Sequence, residues 1–567
     1  MKMKPRAITT ALFLCLYALL LPRVLHAPAY RTPASQGGSI EWHEGYPIVR
    51  LSGSHYAMGR QYGALMKNEI IAGYREMDQS INAIFGFVNP IIRPLARWYY
   101  HLQARRKARL IPERFRQELR GVAEASGIDE DRIIHMLFAP DLVGGLACTS
   151  VLVKSGGAII HGRNLDFPPT ALGRHPVIVE YHPTGGRRYT LIGIAGYLPA
   201  LSGLNDAGIS VTLNLSFLVD KNRKHGMPVG YKIREILETA ETMRDVDRLL
   251  EGYATDEGWI LTVASGREGK GAIYDIAGAE SRKTTMTGPY CFAVNRFQQE
   301  DMNRAHKHVG DALGDYNDNR AIRVKQLLPG VRDAAGMARL LGDTDYRGRG
   351  HTLGVFTINN YETVQSMVIL PASGEIYLAS APMYAGLARM IRYQRATGAV
   401  SVFRPAHPLL AAGDASSLLA WADKLYVNPR DALADLDQAG RFGVKSAYAL
   451  WKIDSDLVDT VRLLAAVQRE LDAAPRDAFL CRIKGHLLLT RGRYAEAATA
   501  LKSGLNAPSA APGDLMMIHA FLATSYLKTG NREKAKHHAK LSLEIMDGYK
   551  LNKEEKRLRR ECERILK

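Results

Sequence analysis

The chain has 567 residues, of which 46% are hydrophobic and 23% are charged. This composition excludes a wholly disordered or fibrous protein, and the length predicts two or three domains. The formal net charge of +18 favours contact with anionic surfaces such as lipid head groups. The basic residues are scattered and form no zinc-finger or aromatic-basic pattern, so we expect no nucleic-acid partner.

Residues 1–29 have the pattern of an export signal. Lys2, Lys4 and Arg6 precede an apolar run over residues 7–21, and Ala27-Pro-Ala29 offers a small-residue cleavage site. The run is shorter than the roughly 20 residues that a membrane-spanning helix needs. We therefore expect an exported, periplasmic or extracellular protein, and the proline within the cleavage site leaves open retention as an uncleaved membrane anchor.

Residues 30–147 are predicted to be mostly helical, because apolar residues recur at helical spacing in 58–81 and 112–125. The segment ends in Gly144-Gly-Leu-Ala147, and a glycine pair permits backbone conformations that other residues resist. We interpret residues 30–147 as a helical pro-segment.

From Cys148 to about residue 403 the pattern changes to short strands and tight turns. The first predicted hairpin joins 149–154 to 158–161 through Gly156-Gly157. Strands come first, helices are inserted at 229–253 and 319–328, and strands close the region, which favours antiparallel sheets covered by helices. We predict an α+β fold, a four-layer α/β/β/α sandwich. The other predicted strands are 177–182, 189–195, 209–214, 260–264, 272–276, 290–294, 354–357, 366–370 and 376–379.

Residues 404–567 are predicted to be helical and to contain a repeat. Gly492, Tyr494, Ala497 and Leu505 recur with the same internal offsets, 38 residues later, as Gly530, Arg532, Ala535 and Leu543. The pattern resembles a pair of tetratricopeptide repeats with a lengthened connection. Any antiparallel helical hairpins would also place small residues where the helices touch, so that alternative stays open. A repeat domain of this kind predicts a protein partner.

Cys148 is the candidate nucleophile, because it lies where helical character gives way to strand. His161-Gly-Arg-Asn-Leu-Asp-Phe167 occupies the far end of the first predicted hairpin, so pairing brings Arg163 and Asp166 back beside Cys148. A nearby guanidinium lowers the pKa of a thiol. Residues three apart point to opposite faces of a regular strand, so we expect the strand to bend before Phe167 if both side chains face the site.

Self-cleavage would give Cys148 its own base. An α-amino group titrates near pH 8 in model compounds, so the first residue of a chain can act both as nucleophile and as general base. Cys148 acquires an α-amine only if the bond from Ala147 is cut, and its sulfur is placed to attack that carbonyl and form a thioester. Asp166 is expected to hold the resulting ammonium.

Cys148-Thr-Ser-Val-Leu-Val and His161-Gly-Arg-Asn-Leu-Asp-Phe167 resemble the acid ceramidase and N-acylethanolamine acid amidase group of the choloylglycine hydrolase superfamily, which has an N-terminal-nucleophile fold. Upstream, residues 53–63 and 118–124 resemble the pro-segment of the penicillin acyltransferase family. The similarity covers roughly residues 40–385. It implies that Cys148 is the nucleophile and the self-cleavage agent.

The same resemblance implies roles for further polar residues. Asn295 matches the asparagine of the oxyanion hole, Asn214 a second asparagine of the site, and Arg320 a second arginine. The interval from Asn295 to Arg320 is longer than expected, which makes Arg347 and Arg349 rivals of Arg320. Asn214 and Asn295 also fit plain strand-end positions, and Arg320 also fits a solvated helix surface.

Neither a metal nor a cofactor is expected, because the 17 histidines give no His-Glu-x-x-His or similar ligand spacing. The expected reaction is hydrolysis of a linear amide in a small N-acyl compound with a fatty or bulky apolar acyl group. One alternative is acyl transfer, in which a second amine replaces water on the thioester. Another is a catalytically silent protein that acts through its helical repeats. Contact with a membrane surface is a further expectation.

Overall fold

The computed structural model describes most of the chain between residues 37 and 567. The described ranges are 37–86, 90–138, 147–167, 170–216, 218, 226–306, 312–345, 357–407, 444, 447–448, 451–452, 455, 458–473, 475–507, 510, 512–547, 551 and 553–567. The predicted export signal lies outside them. Within these ranges, every helix is too short or too polar to cross a bilayer.

Sixteen strands lie in the described ranges. They are β1 (Ser39–His43), β2 (Tyr46–Gly53), β3 (Ala147–Ser155), β4 (Ala158–Asp166), β5 (Pro176–Pro183), β6 (Tyr189–Ile194), β7 (Ser202–Asn205), β8 (Ile209–Ser216), β9 (Thr255–Ser265), β10 (Lys270–Gly278), β11 (Glu280–Thr285), β12 (Tyr290–Ala293), β13 (Thr363–Leu370), β14 (Glu375–Ser380), β15 (Met390–Gln394) and β16 (Ala399–Arg404).

These strands form two sheets. The first has the order β1-β2-β5-β6-β7-β8-β9-β10-β11, and the second has the order β12-β3-β4-β13-β14-β15-β16. Neighbouring strands are antiparallel except for the parallel pair of β2 and β5.

Helices flank the sheets in the first part of the chain and continue alone at its end. Those of the first part are α1 (His55–Leu65), α2 (Lys67–Gly86), α3 (Arg93–Ala108), α4 (Glu113–Ser126), α5 (Glu130–Leu137), α6 (Val229–Thr239), α7 (Met243–Leu250), α8 (Glu300–Ala305), α9 (Ala312–Leu327) and α10 (Ala334–Leu341), with short 3-10 turns at Thr170–Arg174, Leu328–Gly330 and Ala385–Leu387. Those of the last part are α11 (Thr460–Ala473), α12 (Ala478–Thr490), α13 (Tyr494–Leu505), α14 (Pro512–Lys528), α15 (Arg532–Asp547) and α16 (Lys553–Leu566).

Three apolar clusters define four layers in residues 37–407. One lies between the outer face of the first sheet and helices such as α1, α4 and α6, and it includes Val49, Leu51 and Phe115. A second lies between the two sheets and joins Ile178 to Met367. A third packs α9 and α10 on the outer face of the second sheet. The predicted α/β/β/α arrangement therefore describes this region, since each sheet needs cover on both faces.

The segment before Cys148 is less helical than predicted. It contributes β1 and β2, and β2 pairs in parallel with β5. The turn between β1 and β2 places Glu44 and Gly45 at φ of 54° and 87°, which closes the hairpin tightly. The prediction missed these strands because the run Tyr46–Gly53 is short and its partner β5 lies far along the chain. Residues 37–138 are therefore built into the same layers as the residues after Cys148.

The two upstream motifs pack directly on each other. A Cβ on Gly59 of α1 would lie 2.1 Å from the carbonyl oxygen of Glu118 on α4, and a Cβ on Gly121 would lie 2.4 Å from that of Tyr56. Glycine is required because the two helix backbones touch. Glu118 also forms a 2.7 Å ion pair with Arg234 of α6, with both side chains 1% exposed.

Other sequence predictions have mixed outcomes. The helix predicted over 229–253 is two helices, because Thr242 begins α7 with a capping box closed by Asp245. Strands β7, β11, β15 and β16 were not predicted. The strand predicted over 354–357 lies largely outside the described residues, and Thr357 itself is not in a strand.

The last part of the chain consists of antiparallel helical pairs in its described residues. Gly492 separates α12 from α13 and Gly530 separates α14 from α15, with φ of 73° and 82°. Ala497 and Ala535 are fully buried where the helices touch. The helices and their turns agree with the predicted repeat, and its assignment to the tetratricopeptide family stays a prediction.

Candidate active site

The β3–β4 hairpin brings the motif residues together as its sequence predicts. Ser155 pairs with Ala158 across Gly156 and Gly157, whose φ values of 56° and 84° suit a two-residue hairpin turn. The register then pairs Cys148 with Leu165 and Ser150 with Arg163. Directly opposite residues share one face of a sheet, and so do residues two apart on one strand, which places Cys148, Ser150 and Arg163 on the same face. Arg163 contacts Ser202 and Leu213 of the first sheet, so this face points between the two sheets.

Arg163 lies against the sulfur of Cys148. Its Nη2 donates to Sγ at 3.3 Å, and both side chains are buried, with exposures of 1% and 0%. Burial raises the pKa of the Cys148 thiol above its usual value, while the Arg163 guanidinium opposes that rise. The thiol is therefore held protonated in the uncut chain and has a cation ready to stabilise its anion.

Backbone carbonyls and one hydroxyl hold Arg163 in place. Nη1 donates to the Leu201 carbonyl at 2.9 Å and to the Ser202 hydroxyl, and Nη2 donates to the Leu213 carbonyl at 2.7 Å. Among the described residues, no carboxylate lies within ion-pair distance of this guanidinium. The carbonyl groups of Leu201 and Leu213 and the Ser202 hydroxyl therefore hold the guanidinium against the sulfur.

Asn295 contacts the backbone nitrogen of Cys148. Its Oδ1 accepts from the Cys148 N–H at 2.8 Å and from Arg320 Nη2 at 2.7 Å, while its Nδ2 donates to the Leu215 carbonyl at 2.6 Å. The orientation of the amide is settled, because arginine can only donate and a carbonyl can only accept. Asn295 therefore presents an acceptor to Cys148 in this structure, and the predicted oxyanion-hole role, which needs a donor, stays a prediction.

Two side chains contact the carbonyl oxygen of Cys148. Arg320 Nη1 donates to it at 2.5 Å and to Thr149 Oγ1 at 3.1 Å, and Asn214 Nδ2 lies at 3.4 Å. Arg320 is fully buried on α9, so it is not a solvated helix residue. Its rivals Arg347 and Arg349 lie outside the described residues.

Asp166 lies on the opposite face of β4 from Arg163. Strand β4 pairs regularly with β3 as far as Asp166, and its register with β13 shifts opposite Leu165 and Asp166, so the structure has this irregularity and not the predicted bend before Phe167. The Asp166 carboxylate accepts from Thr363 Oγ1 at 2.6 Å and Asn360 Nδ2 at 2.9 Å, and lies 3.8 Å from Arg320 Nη1. The side chains of Arg163 and Asp166 instead flank the start of β3 from opposite faces of the sheet. Besides burial and Arg163, Asp166 acts on the Cys148 thiol, since its negative charge raises the pKa of the thiol and a backbone hydrogen bond from Asp166 lowers it.

Sequence reasoning missed three residues that support the site. Asn317 Oδ1 accepts from Arg320 Nη2 at 2.8 Å and from the Asn295 N–H at 3.1 Å. Asn360 and Thr363 hold Asp166 from a turn that is far away in the sequence. Only Asn317 offered a signal, since it lies one helical turn before Arg320 and shares its face.

The described residues contain no group of three or more histidine, cysteine, aspartate or glutamate side chains placed to bind a metal. The arrangement around Cys148 consists of a thiol, two arginines, a carboxylate and amides. These groups can perform nucleophilic acyl transfer through the sulfur.

Comparisons with known proteins agree with this chemistry. Residues 153–376 match the family model described as acyl-coenzyme A:6-aminopenicillanic acid acyl-transferase. A 175-residue segment is 30% identical to an N-acylethanolamine-hydrolyzing acid amidase of Caenorhabditis elegans, covering 28% of this chain and 49% of the relative. A 188-residue segment is 23% identical to acid ceramidase of Rattus norvegicus, covering 29% and 47%.

The solved structure of the Caenorhabditis elegans amidase ortholog is 21% identical over 40% of this chain and 93% of that one, with a TM-score of 0.30. The chain spans about half the length of the curated relatives it matches. The sequence matches support a relationship between the two-sheet region and the N-terminal-nucleophile hydrolase superfamily.

Proposed function

We propose that this chain is an exported cysteine amidohydrolase that cuts its own Ala147–Cys148 bond and then cleaves the amide of an N-acyl compound through a thioester. One observation carries the proposal. Sγ, N and O of Cys148 each have a polar side-chain partner, namely Arg163, Asn295 and Arg320. A buried structural cysteine needs none of these contacts.

The first step is intramolecular. Cys148 Sγ attacks the Ala147 carbonyl carbon, the C–N bond to Cys148 breaks, and the thiol proton passes to the departing nitrogen, which becomes the α-amine. Water then hydrolyses the thioester, which leaves a carboxylate on Ala147 and a thiol on Cys148. Asn295 Oδ1, now 2.8 Å from this nitrogen, is placed to accept a hydrogen bond from the new amine.

The second step repeats the chemistry on a substrate. The α-amine takes the thiol proton, the sulfur attacks the substrate carbonyl, and the proton passes to the leaving amine as the acyl thioester forms. Arg163 stabilises the thiolate during this transfer. Water releases the acid and restores the thiol.

A fatty or bulky apolar acyl group is the favoured part of the substrate. Cys148 belongs to the large apolar cluster of the two-sheet region, together with Leu165, Leu213 and Phe138. The similarity to an N-acylethanolamine-hydrolyzing amidase and to acid ceramidase supports the same substrate class.

Contact with an anionic membrane surface is part of the proposal. Helix α3 exposes Leu95, Trp98 and Tyr99, which are 62%, 59% and 58% exposed, and it carries Arg93 and Arg97 but no acidic residue. Aromatic and basic residues together suit a lipid–water interface.

We extend the proposal to a protein partner for the helical region, supported by its repeated hairpins.

Acyl transfer is the second candidate, because the matching family model is described as an acyl-transferase. In that reaction an amine replaces water on the thioester. Product analysis with and without an added amine acceptor separates the two, since transfer yields a new amide whereas hydrolysis yields only the free acid.

Sequencing of the purified, exported protein tests the proposal. The fragment that follows the cut is expected to begin Cys-Thr-Ser, and Cys148→Ala is expected to remain one uncut chain without activity on N-acyl amides. Cys291→Ala is the matched control, because Cys291 is half-buried beside β3 and has no role in the proposed chemistry. Hydrolysis by uncut wild-type protein, or by Cys148→Ala, would overturn the proposal.

A further inference from the structure

A row of polar side chains crosses the space between the two sheets beside Cys148. Strand β8 alternates regularly: Ile209, Val211, Leu213 and Leu215 lie in the apolar cluster of the helix side, while Ser210, Thr212, Asn214 and Ser216 occupy the opposite face. Ser210, Thr212 and Asn214 are fully buried against His161 and Ser150 of the β3–β4 hairpin. Buried polar groups are costly unless they satisfy one another.

These side chains form one continuous chain of hydrogen bonds. Ser210 Oγ lies 2.8 Å from His161 Nδ1, and His161 Nε2 lies 3.0 Å from Thr212 Oγ1. Thr212 Oγ1 lies 3.0 Å from Ser150 Oγ, which donates to Asn214 Oδ1 at 2.7 Å. The chain thus connects His161 to Asn214 through two hydroxyl groups.

The Asn214 end of the chain settles the direction of each hydrogen bond between Asn214 and His161 Nε2. Asn214 Nδ2 faces the carbonyls of Ala293, Val294 and Cys148 at 3.2, 3.2 and 3.4 Å, and carbonyls can only accept. Asn214 Oδ1 must therefore receive the Ser150 proton, which leaves Ser150 to accept from Thr212.

The same reasoning reaches the histidine. Because the Thr212 proton is directed to Ser150, Thr212 Oγ1 must accept from His161 Nε2–H. In a neutral ring His161 Nδ1 is then an acceptor and receives the Ser210 proton. Of the two neutral tautomers of His161, only the Nε2–H form satisfies this arrangement.

We propose that His161, as its neutral Nε2–H tautomer, is a positioning residue that acts through Thr212 and Ser150 to orient the amide of Asn214. This inference rests on the proposed function of Cys148. The Asn214 amide joins the carbonyl of the nucleophile to the two carbonyls that precede Asn295. The chain therefore keeps Cys148 and Asn295 aligned, although His161 touches neither.

The surroundings keep His161 neutral. Burial lowers the pKa of His161 to about 3, and the Arg163 cation adds to that effect. Arg163 lies two residues away on the same face of β4. A histidine held this way does not serve as a general base near neutral pH, which agrees with a positioning role.

Paired substitutions test the proposal in the full-length protein. Thr212→Val keeps the shape of the side chain but removes the hydroxyl, whereas Thr212→Ser keeps the hydroxyl. We expect Thr212→Val to lower kcat about tenfold or more with KM within about twofold, because alignment is lost while substrate binding is kept. Thr212→Ser is expected to stay within about threefold of wild type.

A second pair examines the histidine itself. His161→Gln retains a donor near the Nε2 position and is expected to restore most of the kcat that His161→Asn loses. In ¹⁵N NMR spectra of wild-type protein, His161 is expected to show a protonated Nε2 and an unprotonated Nδ1. Thr212→Val combined with His161→Asn is expected to cost little more than either change alone, since both break one chain.

Several results would overturn the inference. They are a wild-type kcat in both Thr212→Val and His161→Asn, a protonated Nδ1, or a loss of kcat that only follows the loss of folded protein in thermal melts. These outcomes leave the proposed function standing if wild-type protein is cut after Ala147. Failure of the Cys148→Ala test would instead remove the proposed function.

Discussion

The two-sheet region and the helical region at the end of the chain bury charged groups in different ways. In the helical region Arg482 Nε lies 2.7 Å from Asp514 Oδ1, and the two side chains are 3% and 0% exposed. In the two-sheet region Arg163 is equally buried, but its described contacts are carbonyls, a hydroxyl and a thiol. Arg482 thus pairs with a carboxylate, whereas Arg163 contacts the sulfur of the proposed nucleophile Cys148.

The cysteines show the same contrast. Burial raises the pKa of Cys481 to about 12 and that of Cys562 to about 11, and no guanidinium contacts either sulfur among the described residues. Cys148 is more deeply buried, yet Arg163 opposes the rise in its pKa. Burial alone therefore makes a thiol inert, and a buried cation without a carboxylate partner makes it usable.

The largest expected effects come from replacing Arg163 or Arg482, one at a time, with glutamine. Arg163→Gln is expected to lower turnover at least about 100-fold, because the thiolate loses its cation. Arg482→Gln is expected to cost about 3–5 kcal/mol of unfolding free energy, because the buried Asp514 loses the ion pair that it forms with Arg482. Activity of the folded fraction and thermal melts measure the two effects.

Arg493→Gln is the control for this comparison. Arg493 pairs with Glu496 on the surface, with exposures of 49% and 58%, so neither melting temperature nor turnover should change. If Arg482→Gln lowered turnover of folded protein while Arg163→Gln did not, the contrast between the two regions would be wrong.

Asp275 on β10 provides a second, pH-dependent test of how the two-sheet region buries a charged group. Burial raises its pKa to about 7, although the N–H groups of Gln298 and Gln299 donate to its Oδ2 at 2.6 and 3.0 Å. The folded state thus binds a proton that the unfolded state releases near pH 4, so stability falls as pH rises from about 4 to 7, by at most about 1.4 kcal/mol per pH unit.

Asp275→Asn removes this titration while keeping an acceptor oxygen for both N–H groups. We expect the variant to melt at a higher temperature than wild type at pH 8 and at a similar temperature at pH 4.5. Glu533→Gln, which removes an exposed carboxylate from α15, serves as the control. A stability difference between Asp275→Asn and wild type that is constant over this range would contradict the assignment.

The smallest expected effect concerns the turns of the helical pairs. Gly530 has a φ of 82°, and no atom lies within 4 Å of a Cβ built on it. Gly530→Ala should therefore cost only the left-handed backbone conformation, about 1 kcal/mol. Gly59→Ala in the two-sheet region should cost more, because its Cβ would overlap the Glu118 carbonyl.

Gly288→Ala is the matched control for both glycines, since Gly288 has open space and no positive φ. Differences in melting temperature measure all three. Equal losses of melting temperature in Gly530→Ala and Gly59→Ala would contradict this interpretation. It holds that glycine is needed for a left-handed turn in the helical region and for close contact between helix backbones in the two-sheet region.

Much of the site was accessible from short-range sequence pattern. The Gly156-Gly157 turn sets the hairpin register, and that register places Arg163 beside Cys148. All six predicted residues, Cys148, Arg163, Asp166, Asn214, Asn295 and Arg320, lie within one group of contacts. Their catalytic roles remain predictions, because the contacts show placement and not turnover.

Other features could not be inferred because they depend on distant segments. The Asp166 carboxylate is held by Asn360 and Thr363, which are 194 and 197 residues away. The orientation of Asn295 depends on whether a donor or an acceptor faces each end of its amide. Strand β2 was missed because its neighbour in the sheet, β5, follows about 130 residues later.

The sequence by itself determined the features that depend on neighbouring residues. These are the β3–β4 hairpin, the alternation of β8 and the helical pairs after residue 458, because backbone preference and side-chain periodicity act over a few residues. Tertiary structure alone decided the chemistry of Cys148. The pKa of its thiol, the direction of the hydrogen-bond chain from His161 and the lack of a described carboxylate beside Arg163 all depend on burial between two sheets, where water no longer supplies the missing partners.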